Sequence, residues 1–139
     1  MPFISKEELN NQKLLEVYKS AYMEAEMDDD GEIKCVVDGF RLYANVMPDR
    51  PFFVLRTMFT IKPEAQRAQI LELCNRLNDH MIMIRCCLPD AAPHPTLYID
   101  HFTMTEGGIS GEEIVGVTRR FMKVITDGIS EYDTDDIMA

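Results

Sequence analysis

The sequence predicts an α+β protein in which three helices accompany an antiparallel sheet of five to six strands. Two observations support this prediction. Apolar and polar residues alternate through several short segments, which is the pattern of strands with one buried face. Short turn signals, of which Asp38-Gly39 is the clearest, join most of these segments, so neighbouring strands are expected to run antiparallel. The predicted element order is α-β-β-β-β-α-β-β-α.

Capping residues indicate where the three helices begin. Ser5 and Glu8 form a capping box ahead of a first helix that is expected to reach about residue 20. Pro63 suits the first turn of a second helix, because its missing amide proton is not needed there. Ser110 and Glu113 form a second capping box, which opens a last helix that is expected to reach about residue 127.

The strand-like segments differ in how much of each is expected to be buried. Residues 52–60 are apolar on both faces, which is typical of a central strand. Residues 40–46 follow the Asp38-Gly39 turn and alternate, as a half-buried strand does. The six strands are predicted at residues 23–27, 33–37, 40–46, 52–60, 81–88 and 96–104.

The composition predicts an acidic protein and excludes two classes of partner. Lys and Arg number 14 and Asp and Glu number 24, which gives a formal net charge of −10. Such a surface repels phosphate groups, so neither nucleic acid nor an anionic membrane is an expected partner. The charge suits a protein partner with a basic segment.

The length of 139 residues predicts one domain. We expect residues 1–130 to form this domain. Residues 131–139 are rich in aspartate and are expected to form a disordered tail.

Cysteine usage and the first residues predict a cytoplasmic protein. Met1–Leu9 lacks the charged and then apolar layout of a signal peptide, and the longest apolar runs are too short to cross a bilayer. Cys35, Cys74, Cys86 and Cys87 include no Cys-x-x-Cys pair, so they are interpreted as reduced and mostly buried thiols.

No arrangement of residues predicts catalysis, a cofactor or a metal ion. His80, His94 and His101 are not spaced as metal ligands with cysteine or carboxylate. Ser5 and Ser110 are explained as helix caps, and no cysteine has a local catalytic signature. The sequence therefore predicts a protein that is not an enzyme.

The acidic segment at residues 26–32 allows two interpretations. Gly31 can be placed at the sixth position of a calcium-binding loop, with Asp28 and Asp30 as ligands. The twelfth position would then be Val37, where such a loop requires glutamate. A hairpin tip is favoured, and a weakly bound cation is the alternative.

The last helix has a wider apolar face than a sheet-packing helix needs. Apolar residues cover about half of its circumference, whereas one sheet face requires a stripe of ~100°. The excess either packs against the first helix or forms a homodimer interface, and both interpretations stay open. The residues predicted for the interface are Val115, Phe121, Met122 and Ile125.

The second helix and the strand after it provide a candidate surface for a protein partner. Asn75 and Asn78 flank the apolar stripe of the helix, and Met81 and Met83 are expected on the outward face of the strand. Paired amides can bind a peptide backbone, and methionine adapts to apolar partners. The favoured alternative is that the two asparagines hydrogen-bond the protein's own sheet or loop.

Five motifs follow one another along the chain: Asp30-Gly31, Val37-Asp38-Gly39 before Phe40–Val46, Leu73-Cys74-Asn75-Arg76-Leu77-Asn78, Tyr98-Ile99-Asp100, and Gly107-Gly108-Ile109-Ser110 followed by Glu112-Glu113-Ile114. In order and spacing these motifs resemble the YbjN-type family of bacterial sensory transduction regulators, over about residues 9–127. Loop 89–95 is rich in proline, where relatives carry a short acidic turn, so that hairpin is expected to differ.

The resemblance implies a fold similar to that of type III secretion chaperones, which are small acidic homodimers that hold extended partner segments. It implies no catalytic residues, because none is established for the family. The leading hypothesis is therefore a non-catalytic regulatory or chaperone-like module that binds a protein partner as a homodimer.

The alternative hypothesis is a small-ligand sensor, or an enzyme whose site is formed between subunits. It requires a deep pocket that converges on polar groups such as Asn75, Asn78, Tyr98 or Asp100.

Overall fold

The structure, a computed structural model, describes residues 2–90 and 94–139. Part of the proline-rich loop that was expected to differ from relatives, residues 91–93, lies outside the described residues. Three helices, a six-stranded antiparallel sheet and a two-stranded sheet confirm the α+β class. In chain order the elements are β1 (Phe3–Ile4), α1 (Asn11–Ser20), β2 (Glu24–Met27), β3 (Ile33–Val37), β4 (Phe40–Val46), β5 (Phe52–Thr60), α2 (Arg67–His80), β6 (Arg85–Cys87), β7 (Thr96–Met104), β8 (Ile109–Ser110) and α3 (Gly111–Tyr132).

The strand order of the large sheet is β2-β3-β4-β5-β7-β6, so β2 and β6 are its edge strands. By contacts, the chain divides into two compact units. The first contains Met1–Leu55 with Phe102–Met122, and the second contains Arg56–His101 with Lys123–Ala139.

In the first unit, the predicted hairpin between β3 and β4 is confirmed. Val37 pairs with Phe40, so the connection has two residues. Asp38 and Gly39 both have positive φ, 51° and 83°, as the preferred two-residue hairpin turn requires. The helix α1 packs against β2, β3 and β4, and it buries Leu14 and Tyr18 completely.

The helix α1 begins later than predicted. Ser5 and Glu8 do form reciprocal bonds, since each backbone N–H donates to the other's side chain, at 3.3 and 3.2 Å. These bonds close a turn, however, and the helix starts at Asn11. The cap is Asn10, whose side chain accepts from the Lys13 amide at 2.8 Å.

The pairing of β1 with β8 was not predicted, because two-residue strands carry no periodic signal. Phe3 pairs with Ser110 and Ile4 with Ile109. Gly108 precedes β8 with φ +84°, and a Cβ there would lie 2.5 Å from the Phe3 ring and 2.8 Å from the Ile4 carbonyl oxygen. Only glycine fits this approach of β1 to the turn.

In the second unit, α2 and β6 are shorter than predicted. Gln66 caps α2 in a capping box with Gln69, whose side chain accepts from the Gln66 amide at 2.8 Å, so the helix does not begin at Pro63. Met83 has φ +57°, which a continuous strand does not tolerate. Its carbonyl oxygen lies 2.6 Å from His101 Nδ1, and β6 starts only at residue 85.

The predicted disordered tail lies against the strand end in the structure. The helix α3 continues to Tyr132, and Met138 forms an antiparallel bridge with Ile61. The Lys62 amide donates to the Ile137 carbonyl at 2.8 Å, and the Ile137 side chain is 4% exposed. The sequence favoured disorder because most of this segment is acidic. Ile137 is the buried apolar residue that anchors it.

Candidate protein-interaction site

The β6 edge of the sheet is closed by a side chain. Cys86, the middle residue of β6, donates its backbone N–H to Asn78 Oδ1 at 2.8 Å. Its carbonyl oxygen accepts from Asn78 Nδ2 at 3.0 Å. The amide of Asn78 therefore takes the place of a further strand, which is a common way to protect a sheet edge from pairing with other chains.

The other edge strand, β2, has outward backbone groups without such cover. Asp28 donates to the Glu32 carbonyl at 2.8 Å, so the alternation of an antiparallel ladder directs Glu26 and Glu24 towards β3. The N–H and C=O groups of Ala25 and Met27 then point away from β3. Within residues 2–90 and 94–139, these four groups have no hydrogen-bond partner.

The face of β2 next to this open edge is acidic. Glu24 and Glu26 are both exposed and share one face of the strand. Lys34 of β3 lies opposite Glu26 and forms a salt bridge with it. The hydrogen bond from Lys34 lowers the pKa of Glu26, and the positive charge of Lys34 lowers it further. Glu26 therefore stays ionised across the neutral pH range.

The acidic turn after β2 is a hairpin tip, as favoured. The Asp28 carboxylate accepts from the amides of Asp30 and Glu32, at 2.9 and 3.0 Å, and Gly31 has φ +83°. No group of three or more His, Cys, Asp or Glu side chains in the described part of the chain is arranged to hold a metal ion.

The four residues predicted for a homodimer interface are buried within the chain itself. Phe121, Met122 and Ile125 are fully buried and Val115 is 6% exposed. A buried side chain has no surface to offer a second copy, so these residues do not form an exposed interface. In the first unit, α3 contacts α1 at Thr118, whose Oγ1 lies 2.8 Å from Tyr18 Oη.

The four residues predicted to bind a partner have different surroundings in the structure. Asn78 bonds the protein's own sheet, as the favoured alternative held. Asn75 is exposed, and Met81 and Met83 are half-buried. Sequence spacing could not identify the closed edge, because the bonds of Asn78 to Cys86 depend on how β6 lies beside α2.

Two of the four polar groups that the ligand-binding alternative names, Asn78 and Asp100, bond to the protein itself. Asp100 is 1% exposed and receives two hydrogen bonds from the Arg85 guanidinium, at 2.9 and 2.6 Å. Arg85 and Asp100 are also paired in the β6–β7 register, which places both on one face of the sheet. Burial raises the pKa of Tyr98.

The first unit has a surface groove of about 460 Å³ beside α1. Asn11 lies in its wall, but its side-chain amide donates to the Gly31 carbonyl and to Asn45 Oδ1, both at 2.7 Å. Its Oδ1 accepts from the Val46 amide at 2.7 Å. Asn11 therefore joins α1 to the turn after β2 and to β4, and both of its side-chain N–H groups are used within the protein.

An apolar patch lies on β5 and β7 in the first unit. The rings of Phe52 and Phe102 meet edge to face, with centroids 6.3 Å apart. Phe102 is 42% exposed and Met104, two residues further along the same strand face, is 65% exposed. Sequence patterning identified both strands but could not show which face would be uncovered.

Among the helices of the described residues, none combines the length and the apolar character needed to cross a membrane.

Solved structures that share the fold include the following three. YbjN from E. coli, called a putative transcription regulator, matches with 13% identity and a TM-score of 0.80, over 98% of each chain. A chain of the HopA1–SchA chaperone–effector complex matches with 17% identity and a TM-score of 0.56, over 88% of this chain and 91% of that one. The Yersinia pestis type III secretion chaperone SycH, solved with a stable fragment of YscM2, matches with 16% identity and a TM-score of 0.51, over 84% and 98%.

These identities show the fold alone, and it is the type III secretion chaperone-like fold that the resemblance implied. Comparison with curated proteins finds no match. Residues 11–131, most of the chain, match the family described as "YbjN: Putative bacterial sensory transduction regulator". The chain therefore belongs to the YbjN family.

Proposed function

We propose that this protein is a non-catalytic regulatory module that binds an extended segment of another protein along β2. The observation that carries the proposal is the difference between the two sheet edges. Asn78 closes β6, whereas the outward groups of Ala25 and Met27 have no partner among the described residues. A strand added from a partner would satisfy those groups with main-chain hydrogen bonds.

The charge of the edge selects the kind of segment. An added strand places alternate side chains on the face of Glu24 and Glu26, where lysine or arginine would form favourable cross-strand pairs. A second copy of β2 would instead bring its own glutamates to this edge, and like charges would oppose the pairing. The occupant we propose is therefore a basic, extended segment of a different protein.

The structural neighbours support a protein partner. Two of the chains that share the fold come from complexes, one a chaperone–effector complex and the other a chaperone with a protein fragment. The acidic net charge of −10 also suits association with a basic segment, because opposite charges accelerate the encounter.

The proposal is tested with a synthetic peptide that alternates lysine and valine, titrated against the fluorescently labelled protein. Ala25→Pro removes one outward N–H and leaves the ladder to β3 intact, since that N–H takes no part in it. We expect the variant to bind the peptide at least about tenfold more weakly than the wild type does.

Two controls make the peptide experiment specific. A peptide that alternates glutamate and valine has the same strand propensity and the wrong charge, so it should not bind. Asn75→Ala changes an exposed residue of α2 and should bind like the wild type. Equal affinity of the wild type and Ala25→Pro for the lysine peptide would refute binding at this edge.

We further propose that the protein is a homodimer that associates through the apolar patch of Phe52, Phe102 and Met104. The patch combines aromatic and methionine side chains, which are enriched in interfaces. It replaces the α3 residues as the predicted contact, because those are buried within the chain.

Sedimentation velocity tests the dimer with two charge-introducing variants. Met104→Lys should convert a dimer to a monomer, because it places charge in the apolar contact. Leu71→Lys, on the exposed face of α2, is the matched control and should keep the dimer mass. A wild-type monomer, or a Met104→Lys dimer, would contradict the proposal.

A further inference from the structure

Two buried thiols of the second unit lie in contact. Cys74 of α2 is 6% exposed and Cys86 of β6 is 4% exposed. Their sulfur atoms are 3.4 Å apart, and a disulfide bond of ~2.0 Å requires them to approach by about 1.4 Å. We propose that this pair is an oxidative modification site, at which a peroxide converts the two thiols to an intramolecular disulfide.

The contact assigns different roles to the two thiols. The Cys86 S–H donates to Cys74 Sγ, which lowers the pKa of Cys74. The same hydrogen bond, together with burial, raises the pKa of Cys86. Because the thiolate is the nucleophile, Cys74 reacts first and Cys86 resolves. Burial raises the pKa of Cys87 and raises that of Cys35 to about 11, so neither is favoured as the first to react.

The reaction balances with a peroxide as the only oxidant. The Cys74 thiolate attacks one peroxide oxygen, the O–O bond breaks, and the leaving hydroxide takes a proton to become water. The sulfur of Cys86 then attacks the sulfenic sulfur of Cys74 and the S–O bond breaks. The second oxygen leaves as water with the proton of Cys86. The two sulfurs are oxidised, and the peroxide is reduced to water.

The position of β6 in the fold provides access to the pair. The strand has three residues and lies at the edge of the sheet. Short edge elements open locally more easily than core elements do, and such an opening admits a small oxidant.

The disulfide would fix the closed edge. Asn78 follows Cys74 by one helical turn, and its amide holds the backbone of Cys86. A covalent bond from Cys74 to Cys86 would therefore join α2 and β6 at the place where Asn78 already holds them. This inference does not depend on the partner or on the dimer.

The test treats the full chain with hydrogen peroxide and counts free thiols. Cys87→Ser is used as the starting protein, so that the exposed thiol cannot link two copies. The number of free thiols in this protein should fall from three to one, and its mass should decrease by that of two hydrogen atoms. The matched control, Cys74→Ser with Cys87→Ser, should keep both of its thiols free of disulfide.

Peptide mapping of the oxidised wild type gives a second readout that needs no variant. A peptide that links Cys74 to Cys86, and that separates on reduction, is the expected product. Amide exchange at Cys86 should also slow after oxidation, because the bond holds β6 on α2. If Cys74 and Cys86 stay free while Cys87 is oxidised, or if either joins Cys35, the proposal is overturned.

Discussion

At the scale of single residues, the buried hydroxyl of Tyr18 has a hydrogen-bond partner inside the first unit. Tyr18 and Thr118 are both fully buried, and their oxygen atoms are 2.8 Å apart. Thr118 Oγ1 donates to the Ile114 carbonyl at 2.7 Å, so the tyrosine is the donor of the pair. Burial raises the pKa of Tyr18, which stays protonated as a donor.

Substitutions of Tyr18 and of Thr118 are expected to lower the free energy of unfolding by different amounts. Tyr18→Phe removes the donor but leaves Thr118 bonded to Ile114, so the free energy of unfolding should fall by about 1 kcal/mol. Thr118→Val leaves the tyrosine hydroxyl buried without an acceptor, which costs about 1–3 kcal/mol. Urea denaturation measures both. A larger loss for Tyr18→Phe than for Thr118→Val would contradict this account.

A second residue-scale prediction concerns the charge of the β2 edge. The pKa of Glu26 is lowered from its ordinary value of 4.5 by Lys34. Because the pKa of Glu26 is lower in the folded state, its ion pair with Lys34 stabilises the folded protein above about pH 4.5. This stabilisation is lost as the pH falls through the lowered pKa. Glu26→Gln should therefore lower the melting temperature slightly at neutral pH.

The difference between the wild type and Glu26→Gln should vanish in acid, below the pKa of Glu26. Glu24→Gln is the matched control, because Glu24 lies opposite Val36 rather than a lysine. A difference for Glu26→Gln that is unchanged in acid would contradict the assigned ion pair.

At the scale of elements, the closed edge at β6 rests on one side chain. Asn78→Ala leaves the N–H and C=O of Cys86 to solvent and removes both bonds to α2. We expect a loss of about 1–2 kcal/mol in the free energy of unfolding and faster amide exchange at Cys86. Asn75→Ala, on the same helix but not bonded to Cys86, should stay within about 0.5 kcal/mol of the wild type.

Amide exchange decides whether Asn78 acts through the edge. Suppose that Asn78→Ala loses stability but the Cys86 amide exchanges as before. The substitution then acts through the helix, and the claim that Asn78 closes the β6 edge is wrong.

Most of the elements could be predicted from the sequence because they depend on local patterns. The Asp38-Gly39 hairpin follows from backbone conformations that few residues allow, and period-two alternation identified the strands. The predictions that were wrong concern choices between local signals. Ser5 and Asn10 are both residue types that can cap a helix, and Asn10 is the one that caps α1. Met83 departs from the strand with a positive φ, and its carbonyl oxygen lies beside His101 Nδ1, a contact that local pattern does not reveal.

The candidate site was less predictable than the fold, for a physical reason. An open or closed edge depends on strand order and on hydrogen bonds between segments distant in sequence. The amphipathicity of α3 predicted that its apolar face would be covered. It could not show that Phe121 and Met122 would be covered by the protein itself rather than by a second copy.

The carboxyl-terminal segment gives a second element-scale prediction. Ile137 is the apolar anchor of residues 133–139, and the Ala139 amide donates to the Thr60 carbonyl at 3.0 Å. Ile137→Ala should lower the free energy of unfolding by about 2 kcal/mol or more. Asp135→Ala changes an exposed residue in the same segment and should be near neutral.

Chemical denaturation with guanidinium measures both tail variants. If Ile137→Ala proves as stable as Asp135→Ala, the segment contributes nothing in solution, and the disordered tail expected from its composition would be the better description.

At the scale of the whole molecule, the net charge of −10 acts on the two proposed contacts in opposite directions. Two copies that meet through the patch of Phe52, Phe102 and Met104 both carry negative charge, so their mutual repulsion weakens the dimer. A basic segment at β2 is instead attracted by the same charge. Salt screens both effects, with a Debye length of about 10 Å at 0.1 M ionic strength.

We therefore expect opposite salt dependences in one protein. Raising sodium chloride from about 0.02 M to about 0.5 M should strengthen self-association, measured by sedimentation equilibrium, and weaken binding of the lysine–valine peptide, measured by fluorescence anisotropy. Glu24→Gln with Glu26→Gln should reduce the salt dependence of the peptide and leave that of the dimer largely intact. If both equilibria weaken with salt, self-association uses a charged surface rather than the apolar patch. If neither changes, the acidic edge does not select the partner.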